Sequence, residues 1–458
     1  MTTNTMISTE KSSHAEQKLI STAAERGGIA SFEMPGFARL LDHSETARTN
    51  QKGTDGQTVK LARSLVLKKF SAMSRGALTI YDIDNEVHRF GQADQLAAEP
   101  IAEIRVVNSR VYRRIALNGI IGAAEAFMEG DWITPDLVSV VRFMVFNLAE
   151  LERVNQQRSL PNRIALRLMN WLNRNSISQS RENIAAHYDL GNDFFEIFLD
   201  PTMMYSSALF ERPEMTLEQA SNAKLDALCR KLQLQPSDHL VEIGTGWGGM
   251  AIYAAKHYGC RVTTTTISQE QFDFALSQVK EQGLEGQVTV LKKDYRDLTG
   301  KYDKLVSIEM IEAVGYQYFQ QYFNKCSSLL TPDGLMALQA ITITDQRYER
   351  AKDTVDFIKR YIFPGGCLPS VTAISQHVSS DTDMIITSLD DITQDYAETL
   401  KHWREAFFEN LDRVKALGFD ERFIRMWEYY LCYCEGGFRE RVIGTVQMVL
   451  AKPDYRKT

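Results

Sequence analysis

From Asn183 onward the chain alternates short apolar runs with helical patterns: "HLVEI", a helix from Gly248, "CRVTTTT", a helix over "SQEQFDFALSQVKEQ", "QVTVL", "DKLVSIE", a helix over "YQYFQQYFNKCSSLL" and then "LMALQAITI". Strands separated by helices of roughly 10 to 15 residues need crossover connections, and so predict a parallel α/β sheet with helices on both faces.

Between the first of these strands and its helix, "LVEIGTGWGGMAIYAAKHYG" places Gly244, Gly246, Gly248 and Gly249. Glycines there permit a tight turn and close approach of the backbone to a ligand. In a dinucleotide site a carboxylate about 20 residues on, at the end of the second strand, holds the ribose hydroxyls. Here that place is "TTTTIS", with Thr266 and no acid. A dinucleotide dehydrogenase is therefore disfavoured, and Glu242, just before the loop, suits S-adenosylmethionine better.

The chain has 458 residues, more than one hydrophobic core usually holds, so two domains are expected. A net charge of −7 argues against a nucleic-acid partner. Six cysteines show no metal-type pairing and no apolar signal core opens the chain, which points to free thiols in a reducing cytoplasm. No window approaches about 18 uninterrupted apolar residues, so membrane contact, if any, is peripheral.

Residues 1–55 read as a poorly ordered leader. In "TVKLARSLVLKKFSAMSR", Val59, Ala62, Val66, Phe70 and Met73 share a helical face, while Lys60, Arg63, Lys68, Lys69 and Arg75 add positive charge. "GALTIYD" and "AEIRVV" read as strands, and "NGIIGAAEAFMEGDWITPD" as a loop and helix, making a small mixed domain over 56–175. It closes on a second basic amphipathic helix, "NRIALRLMNWLNRN". Each basic helix is either a core face with a solvated back or a surface that lies on anionic phospholipid. A polar stretch at 176–183 is taken as a linker to a catalytic domain over 184–458.

"SIEMIEAVG", Ser307 to Gly315, carries the sharpest question. An apolar run that should enter a core ends in two carboxylates, Glu309 and Glu312, and a buried carboxylate is costly unless it is paired or hydrogen-bonded.

Seven segments, "HYDLGNDFFEIFLDPTMMYSSALF", "VEIGTGWGG", "TISQEQ", "DYRDL", "IEAVG", "YIFPGGCLPS" and "FRERVIGTVQMVLAK", together resemble the cyclopropane-fatty-acyl-phospholipid synthases and mycolic acid methyltransferases over about residues 60–458. The resemblance implies an α/β fold: a Rossmann-like class I methyltransferase domain behind a smaller α+β domain that recruits phospholipid. It implies a cytoplasmic enzyme at the inner face of the membrane, a possible homodimer, methylating carbon–carbon double bonds of unsaturated acyl chains.

By resemblance, the S-adenosylmethionine positions are Tyr205 and Ser206 over the methionine part, Gly244 and Gly246 in the loop, Thr266, Ile267 and Gln271 at the ribose and adenine, and Tyr295 with Arg296 beside the adenine. Methyl transfer to an alkene leaves a carbocation that aromatic faces can stabilise, with Tyr188, Phe210, Phe363, Tyr396, Tyr429 and Tyr433 as candidates. In the resembled synthases a bound bicarbonate ion then takes a proton, and its pocket maps onto Glu312, Gln339, Tyr396, Ser207 and Ile341. Two positions depart from the family: Ser207 stands for a cysteine, and Gln339 for a histidine that could carry charge or relay a proton. Glu309 stands where the synthases have a small residue. It is expected either to add negative charge beside the sulfonium and the cation, or to face solvent and cap the following helix. The "FPGGCLP" turn is expected to shape a lid or channel wall.

Overall fold

A computed structural model describes residues 56–94, 98–151 and 190–456, all within one compact unit, Thr54–Thr458. The leader, the helix at 162–175, the linker at 176–183 and Tyr188 lie outside the described residues.

The expected strands form. β5 (His239–Ile243), β6 (Arg261–Thr266), β7 (Val288–Lys292), β8 (Tyr302–Ile308), β9 (Leu330–Ile343), β10 (Ile385–Asp391) and β11 (Ile443–Ala451) build a seven-stranded sheet in the order β10-β11-β9-β8-β5-β6-β7. The five strands from β7 to β9 run parallel, as the alternating pattern requires. β11 departs from that reading, because it lies antiparallel between β9 and β10. The order reverses at β5 and β8, and a ligand crevice in an open α/β sheet forms beyond the strand carboxyl ends at such a point.

Ahead of this sheet, β1 (Gly76–Tyr81), β2 (Val87–Gln92), β3 (Ile101–Val106) and β4 (Trp132–Ile133) form a four-stranded sheet in the order β2-β1-β3-β4. Helix α1 (Gln57–Phe70) buries Ala62, Val66 and Phe70, the inward half of the amphipathic pattern. Its outward side shows Leu61 and Leu65, 63% and 50% exposed. Helix α2 (Arg110–Met128) starts earlier than the sequence pattern suggested and breaks at Gly119, whose φ is +59°.

The four-stranded sheet and the last long helix, α6 (Glu421–Arg439), share one apolar core. Phe127, Met128 and Trp132 belong to the same buried cluster as Phe423, Trp427 and Tyr430. Polar contacts cross the same seam, including Tyr361 Oη to the Glu125 carboxylate at 2.7 Å and Arg422 Nε to Glu129 at 3.0 Å. Three further helices matter below: α3 (Leu217–Lys231), α4 (Gly249–Tyr258) and α5 (Thr393–Glu409).

Candidate active site

The glycine loop after β5 lies beside the end of β6, where the Gly244 and Thr245 amides donate to the Thr265 carbonyl at 3.1 and 3.0 Å. Gly244, Gly246 and Gly248 have φ values of +96°, +53° and +95°, a region that favours glycine. A side chain at Gly246 would meet nothing within 4 Å, so backbone is presented to open space. Just below, Glu242 is 2% exposed and its Oε2 has no hydrogen-bond partner. Such an orphaned carboxylate oxygen beside a glycine cradle fits a cationic ligand group.

The other expected cofactor residues lie along the same edge. Thr266 Oγ1 donates to Gln271 Oε1 at 2.8 Å, and Ile267 is an apolar side chain 74% exposed at the strand end, suited to cover an adenine face. Tyr295 packs edge-on against Tyr322 with ring centroids 5.7 Å apart. Arg296 instead forks onto Asp294 at 2.9 and 2.7 Å on the exposed side, so its charged end is already engaged. Ser206 accepts from the buried Lys224 at 2.8 Å. Tyr205 Oη meets Tyr430 Oη at 2.8 Å, and its ring lies 5.2 Å from those of both Phe195 and Trp403. These residues suit S-adenosylmethionine in composition and place.

The two glutamates occupy the end of β8. The Glu309 amide extends the β8–β9 ladder by one bond, to the Gln339 carbonyl at 2.8 Å. Its φ is then +48°, a left-handed conformation that costs a glutamate on the order of 1 to 3 kcal/mol and persists where surrounding structure demands it. The carboxylate so aimed receives three donors. Oε1 accepts from the Ser207 amide at 2.9 Å and from Gln339 Nε2 at 2.8 Å, and Oε2 accepts from Tyr396 Oη at 2.8 Å. Both expected roles for Glu309 as a cap or a solvent-facing group fail. The short helix Ile311–Ala313 begins after Met310 and has no side-chain cap.

Ser207, Gln339 and Tyr396 do converge as the resemblance implied, but on Glu309 rather than on Glu312. Glu312 Oε1 accepts separately from the Ile341 amide at 2.5 Å, while its buried Oε2 has no partner. The donors expected to hold a bicarbonate ion are therefore engaged by side chains of the protein, and the residues do not fit that ion.

A polar chain fixes the Gln339 amide. Gln447 Nε2 donates to Gln339 Oε1 at 2.9 Å, and Gln447 Oε1 in turn accepts from Lys231 on α3. The Gln339 oxygen thus faces Gln447 and its NH2 faces Glu309. Gln447, Lys231 and Trp403 were not singled out in the sequence. Only the cross-strand register, which opposes Gln447 to Gln339, reveals the first of them.

Of the candidate aromatics, Tyr396 and Phe363 lie at the site, the latter 6.3 Å from the Tyr205 ring. Phe210 stacks on His402, whereas Tyr429 and Tyr433 pack around Phe357. The glycine-rich turn closes one side, as the Cys367 amide donates to the Glu312 carbonyl at 2.7 Å.

Burial pushes both carboxyls up from the ordinary range. For Glu312, burial and then the adjacent Glu309 charge raise the pKa to about 8. With three donors against one, Glu309 is the member of the pair whose charge is better held, and Glu312 is the one more readily protonated. Burial likewise lifts Glu242 to about 8. The folded chain thus keeps protons that the unfolded chain releases above its ordinary carboxyl pKa, so stability falls as pH rises from there towards 8. Glu312→Gln removes its share of that loss. Thermal denaturation is expected to show the variant gaining on the order of 2 kcal/mol relative to wild type at pH 8, with little difference at pH 5.

Comparison with known proteins agrees with this fold. The profile of the mycolic acid cyclopropane synthetase family matches residues 175–448. The tuberculostearic acid methyltransferase UfaA1 of Mycobacterium tuberculosis is 39% identical over 365 residues, 78% of this chain and 85% of that protein. The cyclopropane-fatty-acyl-phospholipid synthase of Escherichia coli K12 is 38% identical over 77% of this chain and 88% of its own length. Among solved structures, the mycolic acid cyclopropane synthase CmaA1 complexed with SAH and CTAB is 34% identical, covers 59% of this chain and 98% of its own, and superposes with a TM-score of 0.55. With the strand order and the glycine cradle in place, the chain belongs to the mycolic acid cyclopropane synthetase family of S-adenosylmethionine-dependent methyltransferases.

Proposed function

We propose that the protein methylates the double bond of an unsaturated acyl chain in a membrane phospholipid and closes the product to a cyclopropane. The observation that carries this reading is a cluster of aromatic rings, Tyr205, Trp403, Phe363 and Tyr396, with the Glu309 carboxylate bonded to the last of them and the glycine cradle beside it. Gly244 and that carboxylate are linked through Met310, since a side chain added at Gly244 would reach Met310 Cγ at 3.2 Å.

When bound, S-adenosylmethionine supplies the methyl group from its sulfonium. The protein's own residues hold the acyl chain away from water and in line, which for well-oriented reactants is worth up to roughly 7 to 11 kcal/mol. The aromatic faces attract the cation left on the acyl chain. Loss of a proton from the new methyl closes the ring.

Access to lipid is read onto α1, where Leu61 and Leu65 are exposed on the same outward side as Lys68. Arg63 does not contribute there, being paired to Asp82 and Glu86 at 2.8 Å each. No helix among the described residues is long and apolar enough to cross a membrane, so this contact is peripheral.

A second reading keeps the same first step but loses the proton from a neighbouring carbon, giving a methyl-branched or methylated unsaturated chain. Gln339 in place of histidine favours it, as does similarity to a protein named for tuberculostearic acid. Lipids from cells expressing the protein, examined by mass spectrometry and proton NMR, separate the two. The first predicts a gain of one CH2 with loss of olefinic protons and appearance of cyclopropane protons, whereas a gain of CH2 with olefinic protons retained would sink it.

A further inference from the structure

The bicarbonate expected in this family needs the Ser207 and Ile341 amides, the residue at 339 and the Tyr396 hydroxyl. The Ile341 amide already serves Glu312, and the other three converge on the Glu309 carboxylate at 2.8 to 2.9 Å. We propose that Glu309 is the general base of this enzyme, a carboxylate built into the chain where the ion would otherwise bind, and that turnover therefore needs no bicarbonate.

This inference rests on the acyl-methylation reading above. Four observations support it. A carboxylate offers about four lone-pair positions. Two on Oε1 and one on Oε2 are used, which leaves one on Oε2, the oxygen bonded to Tyr396. The Tyr396 ring lies 6.1 Å from that of Trp403, so Oε2 adjoins the aromatic wall. The left-handed backbone at Glu309 is a strained device that a surface acid would not require. Finally, two of the three departures from the family compensate each other. A carboxylate is added at 309 and an imidazole is lost at 339, where an amide held by Gln447 donates to Glu309 and to the Ser207 carbonyl and cannot accept a proton.

The proton step balances without a co-reactant. A C–H bond of the newly added methyl breaks, its electron pair closes onto the cationic carbon, and the proton passes to Glu309 Oε2. The resulting neutral acid later releases that proton to solvent.

The test uses full-length wild type, Glu309→Gly and Glu309→Gln on vesicles of dioleoyl phosphatidylglycerol, in buffer purged of carbon dioxide and in buffer with added bicarbonate. Binding of S-adenosylhomocysteine by calorimetry establishes that each variant is folded. Wild-type turnover is expected to change by less than about 2-fold on purging, and Glu309→Gly to fall by at least about 100-fold and to recover at least tenfold when bicarbonate enters the vacated pocket. Glu309→Gln, which fills the pocket without a base, falls equally and does not recover. Carbon-13-labelled bicarbonate provides a readout independent of activity, its NMR line broadening with Glu309→Gly and not with wild type. Wild-type turnover that collapses on purging, wild-type broadening of the bicarbonate line, or full activity of Glu309→Gly in purged buffer would overturn the proposal. If no form methylates lipid, the acyl-methylation reading fails instead, and the broadening comparison still decides what occupies the pocket.

Discussion

Gln339→Leu is expected to lower kcat/KM on unsaturated phospholipid by about 100-fold, within the range that a positioned general base contributes. The substitution leaves Glu309 Oε1 with the Ser207 amide alone and strips Gln447 Nε2 of its acceptor. Each buried polar group left unpaired costs about 1 to 3 kcal/mol, so denaturant unfolding should also show a loss of that order. The pH profile separates chemistry from mere instability. Gln339 lowers the Glu309 pKa by donating to its ionised form, so removing that donor raises the pKa. The acid limb of activity should therefore move to higher pH. Gln339→His, which restores a ring N–H donor, is expected to keep most of the rate. An unchanged acid limb in Gln339→Leu would show that Glu309 is not the titrating group.

Gly244→Ala is expected to weaken S-adenosylhomocysteine by about 10- to 100-fold in calorimetry, because an alanine resists a positive φ. At +96° the strain is compounded by contact, since the new Cβ would stand 3.2 Å from Met310 Cγ and 3.4 Å from Met310 Cβ. Met310 follows Glu309 directly, so its displacement disturbs the base as well as the cofactor cradle. Turnover at saturating S-adenosylmethionine should fall too, and a variant with wild-type affinity would refute the assignment of this loop. Gly246→Ala is the informative companion. At φ +53° with nothing within 4 Å of its Cβ, its protein neighbours do not resist the substitution. Its effect then reports backbone strain and ligand crowding alone.

The methyl-donor half of the site was largely legible in the sequence, because its determinants are local. Glycines that need positive φ, a strand end without a ribose-binding acid and an acid before the loop all fall within short windows. The proton-acceptor half was not. Gln339, Tyr396, Ser207 and Glu309 come from β9, α5, the segment before α3 and the end of β8, and their meeting depends on register and helix packing. The residue types were visible, and even the loss of histidine and the gain of a carboxylate, but not that the two changes face each other across 2.8 Å. The antiparallel β11 escaped for a related reason. A nine-residue, mostly apolar segment fits either direction in a buried sheet, and only its pairing with β9 and β10 decides.

The sequence alone therefore determined the parallel core of the sheet, the glycine cradle and the family, since hydrophobic period, glycine placement and ordered motifs are properties of neighbouring residues. Tertiary structure decided which of two glutamates serves the site. A one-residue overrun of β8 and a left-handed turn at Glu309 swing its carboxylate onto three donors from distant segments, while Glu312 is left with a single amide and a proton of its own. Burial makes that difference chemical, because among buried groups the carboxyl with more donors ionises more readily than its neighbour.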